Sequence, residues 1–248
     1  MAVTGPSYGA QAELYRRLRP EYPDAVFERL AAACGERRGL AADLGAGSGQ
    51  ATGRLLGLFD RVIAVEPDPK MASLIPPDRR LEVRVQAAEA AAFDEPLDAM
   101  VAATAFHWMD AAQVCALAKR SLGPHGVFMP FGYGPFRYRT PAAARALGDA
   151  EYEFWRPWTD RRLLDWRHYA DVVGETGLAR SVERFDHAFE RTFSAEDAAG
   201  LLLTTSYAAA VSRERPGYAE DFIRRVVEAA AGEPVTVRFE LMGAVARF

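Results

Sequence analysis

The stretch "AADLGAGSGQAT", residues 41–52, places glycines on three alternate positions directly after a short apolar run that ends in an acid. Gly45, Gly47 and Gly49 can adopt positive φ at little cost, and each lets another group approach the backbone closely. A glycine turn between an apolar strand and a helix is typical of a ligand-binding loop. The stretch therefore predicts a strand, a turn and a helix that together hold a small molecule.

Around this turn, apolar stretches of strand length alternate with helical stretches. Strands are predicted over 39–44, 61–66, 81–86, 97–104 and 126–132, and helices over 23–34, 49–59, 67–75 and 110–123. This alternation predicts βαβ units and a mostly parallel sheet with both faces covered. Two further strands, 178–190 and 234–248, are expected to pair antiparallel at one edge, with helices near 195–211 and 217–231 between them.

The chain of 248 residues is long enough for one domain, 1–248, with a small cap. Four segments are predicted within it: an N-terminal helical cap (1–36), a ligand-binding core (37–132), an aromatic and mostly helical lid (133–175) and closing strands and helices (176–248). Basic residues are almost all arginine and alanine is abundant, which indicates a bacterial genome rich in G and C.

Composition excludes several classes of protein. The net charge of −4 gives no general attraction to nucleic acid, and no apolar run approaches the roughly 18 residues that span a bilayer. Cys34 and Cys115 are far apart and are expected to be reduced in a cytoplasmic protein. His125, His168 and His187 show no metal-ligand spacing, so no metal is expected.

The glycine spacing distinguishes between two classes of cofactor. Dinucleotides favour G-x-G-x-x-G, whose third glycine would stand where this chain has Gln50. Asp43, two residues before Gly45, would repel a pyrophosphate and would suit an ammonium group. S-adenosylmethionine carries an amino group and a sulfonium and no phosphate, so it fits better than NAD. An NAD-dependent oxidoreductase is the weaker alternative.

A second acid supports a nucleoside ligand. Glu66 ends the second predicted strand, in "VIAVEPDPKM" (62–71), 23 residues after Asp43. Its two carboxylate oxygens can accept hydrogen bonds from the vicinal hydroxyls of a ribose. NAD enzymes use the same device, so Glu66 indicates a ribose without choosing between the cofactors. The alternative is an ordinary surface glutamate before a proline.

Five quoted motifs carry a resemblance to a known family. They are "YRRLRPEYP" (15–23), "DLGAGSGQ" (43–50), "VEPDPKM" (65–71), "AAEAAAF" (87–93) and "AFHWMD" (105–110). In order and spacing, from about residue 8 to 132, the chain resembles class I S-adenosylmethionine-dependent methyltransferases, and most closely the type 11 subgroup. The resemblance implies a Rossmann-like, seven-stranded, mostly parallel sheet with helices on both faces and a helical substrate-binding lid. The chain departs from the family pattern at "AEAAAF", where Leu-Pro often precedes the Phe.

The resemblance also implies roles for cofactor-binding residues. The turn from Gly45 through Gly47 to Gly49 would lie under the methionine half of the cofactor, with Asp43 facing its ammonium and Glu66 binding the ribose. Further contacts are implied for Pro67 and Met71 at the adenine, Ala88 and Glu89 at its edge, Phe106 near the sulfur, and Arg19 with Tyr15 at the methionine carboxylate. Ordinary core packing is the alternative for Met71 and Phe106, and helix capping or a pair with Glu21 is the alternative for Arg19.

Methyl transfer is an in-line displacement at carbon that positioning alone can accelerate. A base is needed only where the acceptor must lose a proton. His107 is the best-placed candidate, because an unperturbed imidazole titrates near neutrality; otherwise it is only a contact. Trp108, Tyr133, Phe136 and Trp155 are expected to wall the acceptor pocket. Their alternative is a satellite core or a dimer interface.

The predicted function is methyl transfer from S-adenosylmethionine to a small organic acceptor, a bacterial metabolite or natural-product intermediate, leaving S-adenosylhomocysteine. The alternative is a cyclase or a non-methylating protein that binds the same cofactor, since fold does not fix function. No nucleic acid and no membrane is expected as a partner, and the protein is expected to be a monomer or a homodimer.

Overall fold

The first half of the chain builds the parallel part of the sheet in the computed structural model, which describes residues 14, 17–149, 158–160 and 167–248. In chain order the elements are α1 (Asp24–Cys34), β1 (Leu40–Leu44), α2 (Gln50–Leu56), β2 (Arg61–Val65), α3 (Pro69–Ala72), β3 (Leu81–Arg84), β4 (Leu97–Ala103), α4 (Ala111–Ser121) and β5 (Leu122–Tyr133). Short 3-10 turns, Ala88–Ala90 and Phe106–Trp108, follow β3 and β4. The five strands lie parallel in the order β3-β2-β1-β4-β5.

The second half adds the antiparallel part. Its elements are β6 (Arg137–Tyr138), α5 (Pro141–Asp149), α6 (Tyr169–Glu175), β7 (Ser181–Phe193), α7 (Ala195–Leu203), α8 (Ser206–Glu214), α9 (Tyr218–Ala230) and β8 (Val235–Arg247). β8 runs antiparallel to β5 and to β7, and it separates them. β6 pairs with the part of β8 that lies beyond β5. The sheet therefore has eight strands, in which β8 has neighbours on both of its edges.

Side chains alternate between two core layers, one on each face of the sheet. Along β5, Val127, Met129 and Phe131 face the layer that includes α1 and α9, whereas Phe128 faces the layer that includes α4 and α6. All five residues of β1 are buried, as expected for a parallel strand that is covered on both faces. This packing fixes the carboxyl ends of β1, β2 and β4 side by side on one edge.

The predicted fold class is confirmed: the sheet is mostly parallel and helices cover both faces. The number of strands is eight, not seven, because Arg137–Tyr138 continue along β8 where β5 ends. The predicted helix over 195–211 is two helices, because the Thr205 side chain caps a new helix by accepting from the Ala208 N–H. None of the helices in the described ranges combines the length and the apolarity that crossing a bilayer requires.

The segment predicted as a lid begins in the sheet. Tyr133 is the last residue of β5, and β6 follows within five residues. Helix α5 comes next, in agreement with the helical character predicted there. Residues 150–157 and 161–166, including the predicted acceptor contact Trp155, lie outside the described residues.

Candidate functional site

All three glycines of the turn after β1 adopt positive φ. The angles are 68° at Gly45, 58° at Gly47 and 88° at Gly49, values that side chains with a Cβ rarely adopt. The Gly45 N–H donates to the carbonyl of Val65 at 2.8 Å, which ties the turn to the end of β2. The sequence prediction of a left-handed glycine turn is thus matched by the backbone.

The three glycines differ in what surrounds them. A Cβ placed on Gly45 would lie 2.6 Å from the Cβ of Ala105, and one on Gly49 would also meet a side chain at 3.0 Å. A Cβ on Gly47 would meet nothing closer than the Cε of Met71, at 3.8 Å. Gly45 and Gly49 are therefore required by packing, whereas a Cβ on Gly47 would fit at ordinary van der Waals distance beside Met71.

Asp43 lies under this turn with its carboxyl fully buried. Thr52 Oγ1 donates to Asp43 Oδ2 at 2.7 Å, and Oδ1 has no hydrogen-bond partner in the described part of the chain. Burial raises the pKa of Asp43 from 3.8 to about 7; the nearby charge of Glu66 also raises it, against the effect of the Thr52 hydrogen bond. A buried oxygen without a partner costs free energy and indicates a missing donor.

Glu66 follows β2 directly and is buried at 7% exposure. Its Oε2 accepts from the Gly47 N–H at 2.8 Å and its Oε1 accepts from the Asp68 N–H at 2.9 Å. Burial raises the pKa of Glu66, although both backbone hydrogen bonds oppose this. Each carboxylate oxygen can accept a second hydrogen bond, so the two backbone donors hold Glu66 in place and leave it able to accept from a ligand.

The residues predicted at the adenine surround the same end of the sheet. Met71 and Ala88 are buried, and Pro67 is exposed. Glu89 Oε1 accepts from the N–H of Asp110 at 3.0 Å, so this carboxylate holds the start of α4. That bond uses one of the Glu89 oxygens, and its predicted contact with the adenine amine stays a prediction.

A second group of side chains lies at the carboxyl ends of β4 and β5. His107 Nδ1 lies 2.7 Å from Tyr169 Oη, and the His107 ring lies 4.9 Å from that of Trp108. Phe106 is buried and packs edge-on against Phe128 and Tyr169, at centroid distances of 5.5 and 5.4 Å. Phe106 therefore has the core packing that was its alternative, and it supports the ring of Tyr169.

Thr104, just after β4, has φ of 51°, which is unusual for a β-branched residue. Its N–H donates to the Phe131 carbonyl at 2.7 Å, and Tyr22 Oη donates to its Oγ1 at 2.9 Å. Tyr22 in turn stacks on Tyr133 with 5.3 Å between centroids. Strained backbone of this kind clusters at functional sites.

Two predicted acceptor contacts, Tyr133 and Phe136, are buried in the core layer that includes α1. The guanidinium of Arg19 lies 5.0 Å from the centroid of the Phe136 ring, and its Nε donates to Thr204 Oγ1 at 2.9 Å. These contacts match the satellite-core alternative for the aromatics, and the predicted binding roles of all three residues stay predictions. Tyr15, the predicted partner of Arg19, lies outside the described residues.

Tyr169, Thr104 and Tyr22 were missed as site residues by the sequence analysis. Tyr169 lies 62 positions from His107, and Tyr22 lies 82 positions from Thr104, so spacing carries no signal for either contact. A local signal existed for Thr104, because it is the last residue of the predicted strand before "AFHWMD".

The chemistry of the two groups differs. Asp43 and Glu66 are buried carboxyls, and neither has an ion-pair partner among the described residues. The β4–β5 end instead offers an imidazole, hydroxyls and rings. In the described ranges no cluster of three or more His, Cys, Asp or Glu side chains could hold a metal ion. The site can therefore bind a cationic, hydroxylated ligand beside a position for proton transfer.

The strand order and the site together define a class of protein. The parallel strands lie in the order β3-β2-β1-β4-β5, and the antiparallel β8 follows β5. From β1 the chain first adds β2 and β3 on one side and then β4 and β5 on the other, so the strand order reverses next to β1. Ligands of open α/β sheets bind beyond the carboxyl ends of the strands at such a point, where the glycine turn and Glu66 lie. This is the arrangement of a Rossmann-like nucleoside-binding protein.

Comparison with known sequences identifies the family. Residues 42–129 match the family model described as methyltransferase domain. A protein named as a candidate methyltransferase of Dictyostelium discoideum is 30% identical over 174 residues, 66% of this chain and 64% of that protein. An uncharacterized methyltransferase of Mycobacterium tuberculosis is 34% identical over 122 residues, 48% of this chain and 49% of that protein. The matched part spans about half to two thirds of the length of these relatives.

Solved structures agree with the sequence comparison. A structure named as a candidate type II methyltransferase from Anaeromyxobacter dehalogenans has a TM-score of 0.71 at 27% identity, over 92% of this chain and 97% of that chain. A methyltransferase from Thiobacillus denitrificans, solved with S-adenosylhomocysteine, has a TM-score of 0.53 at 16% identity, over 98% and 99%, and shares the fold. Residues 42–129 of this chain therefore match the type 11 methyltransferase family, and the sheet has the fold of class I S-adenosylmethionine-dependent methyltransferases.

The residues of the β1–β2 end fit the cofactor of that family. Asp43 Oδ1 is a buried acceptor that has no donor among the described residues, and an ammonium group can satisfy it directly or through water. Gly47 has no Cβ and leaves room beside Met71, where a ligand can approach the backbone. Two buried carboxyls without a cation would repel a pyrophosphate, so the same residues do not suit a dinucleotide.

Proposed function

We propose that this protein transfers a methyl group from S-adenosylmethionine to a small organic acceptor, leaving S-adenosylhomocysteine. One observation carries the proposal: the buried Asp43 carboxyl, with one oxygen that has no hydrogen-bond partner in the described part of the chain, lies under a glycine turn that leaves room beside Gly47. This acceptor, together with Glu66, matches a ligand that has an ammonium group and a ribose. Membership of the methyltransferase family supports the reaction type.

On this proposal the chain binds and orients both reactants. Glu66, held by the Gly47 and Asp68 N–H groups, accepts from the ribose hydroxyls, and Asp43 accepts from the amino group. The bound cofactor supplies an electrophilic methyl group on a sulfonium sulfur. Holding the acceptor in line with that methyl carbon is the main contribution of the protein to the rate.

For a protic acceptor, we infer that His107 acts as the base. The acceptor oxygen or nitrogen forms the new bond to carbon, its proton passes to His107 Nε2, and the pair of the broken C–S bond stays on sulfur. His107 is suited to this role because it follows β4 on the edge that holds the glycine turn. A positioned general base typically contributes about 10²–10⁴-fold to a rate.

The nature of the acceptor follows from the surroundings of His107. The Trp108 ring lies 4.9 Å from that of His107 and is half-buried, which suits an aromatic metabolite stacked beside the base. The net charge of −4 speaks against nucleic acid as the acceptor. Cys34 and Cys115 are free thiols, which supports our inference that the protein acts in the cytoplasm. We also infer that it acts as a monomer or a homodimer.

The test is transfer of label from methyl-labelled S-adenosylmethionine to a panel of small phenols, carboxylic acids, amines and indoles, read by mass spectrometry. We expect labelled product with at least one of these classes. His107→Ala should lower turnover about 100-fold, while the affinity for S-adenosylhomocysteine stays within about threefold, roughly 0.65 kcal/mol. His125→Ala, at an exposed position near the start of β5, is the matched control and should keep full turnover.

Two outcomes would contradict the proposal. Tight binding of S-adenosylhomocysteine without transfer to any member of the panel would favour a non-methylating protein that binds the cofactor. Full turnover of His107→Ala would show that His107 is not the base and that the acceptor binds elsewhere.

A further inference from the structure

Tyr169 is a buried tyrosine that meets the proposed base from a distant part of the chain. It is the first residue of α6 and is 2% exposed. Its Oη lies 2.7 Å from His107 Nδ1, within normal hydrogen-bond distance. The two rings are nearly parallel, at 19° with 6.4 Å between centroids. This contact joins the last part of the segment predicted as a lid (133–175) to the turn after β4.

The position of the Tyr169 side chain is fixed by its neighbours. Its ring packs edge-on against Phe106. On the other side, a Cβ added to Gly132 would lie 3.1 Å from Tyr169 Oη, closer than nearly all real Cβ contacts. The absence of a side chain at Gly132 therefore makes the space that the hydroxyl group occupies.

The backbone that carries Tyr169 is also fixed. His168 caps α6: its Nδ1 accepts from the Ala170 N–H at 3.1 Å, and its Nε2 lies 3.2 Å from Asp186 Oδ1 on β7. Because Nδ1 accepts, Nε2 carries the proton that it donates to Asp186. The first turn of α6 is thus tied to the sheet, and Tyr169 presents its hydroxyl from a rigid element.

We propose that Tyr169 is a positioning residue that accepts a hydrogen bond from His107 Nδ1–H and so makes Nε2 the basic nitrogen facing the acceptor. The proposal rests on the proposed function, because it concerns the base of that reaction. A neutral imidazole has one protonated nitrogen and one basic nitrogen, and a tyrosine hydroxyl can accept from the first or donate to the second. We infer the direction in which Oη accepts, because base catalysis at Nε2 requires it. With Nδ1 protonated, the lone pair lies on Nε2.

The direction of this hydrogen bond follows from the work of the base. His107 takes a proton at Nε2 only if that nitrogen has a lone pair, and then Nδ1 must carry the hydrogen. The Nδ1–H···Oη bond is then present both before and after proton transfer, since both nitrogens of the imidazolium are donors. The hydrogen bond between His107 and Tyr169 therefore does not have to reorganise during proton transfer. Polar groups that are already in position favour a transition state because no free energy is lost in reorienting them.

The chemistry of the tyrosine supports a neutral partner. Burial raises the pKa of the Tyr169 hydroxyl well above its ordinary value, so the phenol keeps its proton near neutrality. A neutral phenol orients the imidazole without adding a negative charge beside it.

The test uses the full-length protein, labelled with ¹⁵N at histidine, and does not depend on knowing the acceptor. His107→Ala assigns the signals of His107 among the four histidines. At pH 8 the parent protein should show Nδ1 protonated and Nε2 unprotonated at His107. Tyr169→Phe should shift these signals toward the Nε2–H form or a mixture. Tyr22→Phe, which removes another buried hydroxyl at the same strand end, should leave them unchanged.

Turnover gives a second readout where an acceptor is in hand. Losing a group that orients a functional imidazole typically costs about 10–100-fold. Tyr169→Phe should therefore lower kcat by about this factor and change the acid limb of the pH profile, with the KM for S-adenosylmethionine within about threefold of the parent value. A merely structural role would change protein stability and leave the acid limb in place.

The proposal is overturned if His107 of the parent carries its proton on Nε2, or if Tyr169→Phe leaves both the nitrogen signals and the pH profile unchanged. If Tyr169→Phe does not fold, the nitrogen signals of the parent protein alone still decide. Failure to find methyl transfer would overturn the proposed function, and the nitrogen signals would remain as the separate test of the tyrosine contact.

Discussion

The carboxyl ends of β1 and β2 and the carboxyl ends of β4 and β5 lie on one edge of the sheet but differ in electrostatic character. At the first, Asp43 and Glu66 are buried acids without an ion-pair partner in the described part of the chain. At the second, Thr104, His107 and Tyr169 meet through hydrogen bonds and ring contacts. The first end is built to attract a cation, and the second to handle a proton in neutral surroundings.

The two ends also differ in how their backbones reach unusual conformations. Glycines take the positive φ angles after β1, whereas Thr104 takes one after β4 and Tyr22 holds its hydroxyl. The absence of side chains leaves space for a ligand at the first end. Strain that neighbouring residues hold in place can position a side chain at the second. One edge therefore combines a turn built from glycines with a turn that side-chain contacts hold in place, and we propose the first for cofactor binding and the second for catalysis.

Among the substitutions that test the difference between the two ends, Asp43→Asn should change the free energy of unfolding the most. Burial raises the pKa of Asp43 to about 7, so the folded protein binds this proton more tightly than the unfolded chain does. Its contribution to the free energy of unfolding is full below about pH 4 and is lost as the pH rises to about 7. A shift of about three pKa units corresponds to roughly 4 kcal/mol.

The measurement is chemical denaturation of parent and Asp43→Asn proteins at pH values from 4 to 8. The asparagine oxygen can still accept from Thr52, so the variant keeps that hydrogen bond. Relative to the parent, the variant should gain roughly 4 kcal/mol of stability across this range. A difference between the two proteins that stays constant with pH would show that Asp43 titrates as an ordinary surface acid.

Replacing Gly47 by Val should abolish cofactor binding with little change in the sheet. The new side chain would project from the turn beside Met71, where we propose that the cofactor lies, and its branched Cβ resists φ of 58°. The affinity for S-adenosylhomocysteine, measured by calorimetry, should fall by at least about 100-fold, roughly 2.7 kcal/mol. The nitrogen signals of His107, at the other end of the site, should keep their pattern.

Gly35→Val is the matched control for this substitution. Gly35 has nearly the same φ, 62°, and a Cβ there would meet nothing within 4 Å, whereas one on Gly47 would meet only Met71 Cε, at 3.8 Å; Gly35 ends α1 away from the site. Both variants should lose stability through backbone strain, and Gly35→Val should keep the parent affinity. Equal loss of affinity in the two variants would mean that strain, and not blockage, explains the effect of Gly47→Val.

Thr104 offers the smallest effect and tests the strain at the other end. Thr104→Gly removes a backbone strain that costs about 1–2 kcal/mol for side chains with a Cβ, which stabilises the protein. It also removes the hydrogen bond from Tyr22, which is worth about 1 kcal/mol, and this destabilises the protein. The added entropy of the unfolded chain destabilises it further. Its free energy of unfolding should therefore stay within about 1 kcal/mol of the parent value. Thr104→Val keeps the strain and loses the hydrogen bond, so urea denaturation should find it less stable than Thr104→Gly.

The first end of the site was largely predictable because its contacts are local. The glycine turn, Asp43 and Glu66 all lie within 24 residues, and a strand followed by a turn forces them together. Composition and alternation were also enough to predict the parallel sheet and its antiparallel closing pair. The two-residue strand β6 was missed because its pairing depends on how far β8 extends past β5.

The second end could not be predicted to the same depth. His107 was found from its place after β4, but its partner Tyr169 comes from a helix that reaches it only through tertiary packing. Tyr133 shows a different limit: an aromatic residue next to a strand end suggests a pocket wall, and the structure gives it core contacts with Tyr22 and Phe239, so its binding role stays a prediction. Aromatic content alone does not distinguish a binding surface from a core.

The place of β8 has a consequence for how the chain acquires its fold during synthesis. β8 pairs with β5, whose residues precede it by more than 100 positions, and it lies between β5 and β7. Both of these strands leave the ribosome with one edge of their backbone groups awaiting β8, and such edges invite association with other chains. The final third of the sheet therefore forms late, from contacts that are distant in sequence and slow to make.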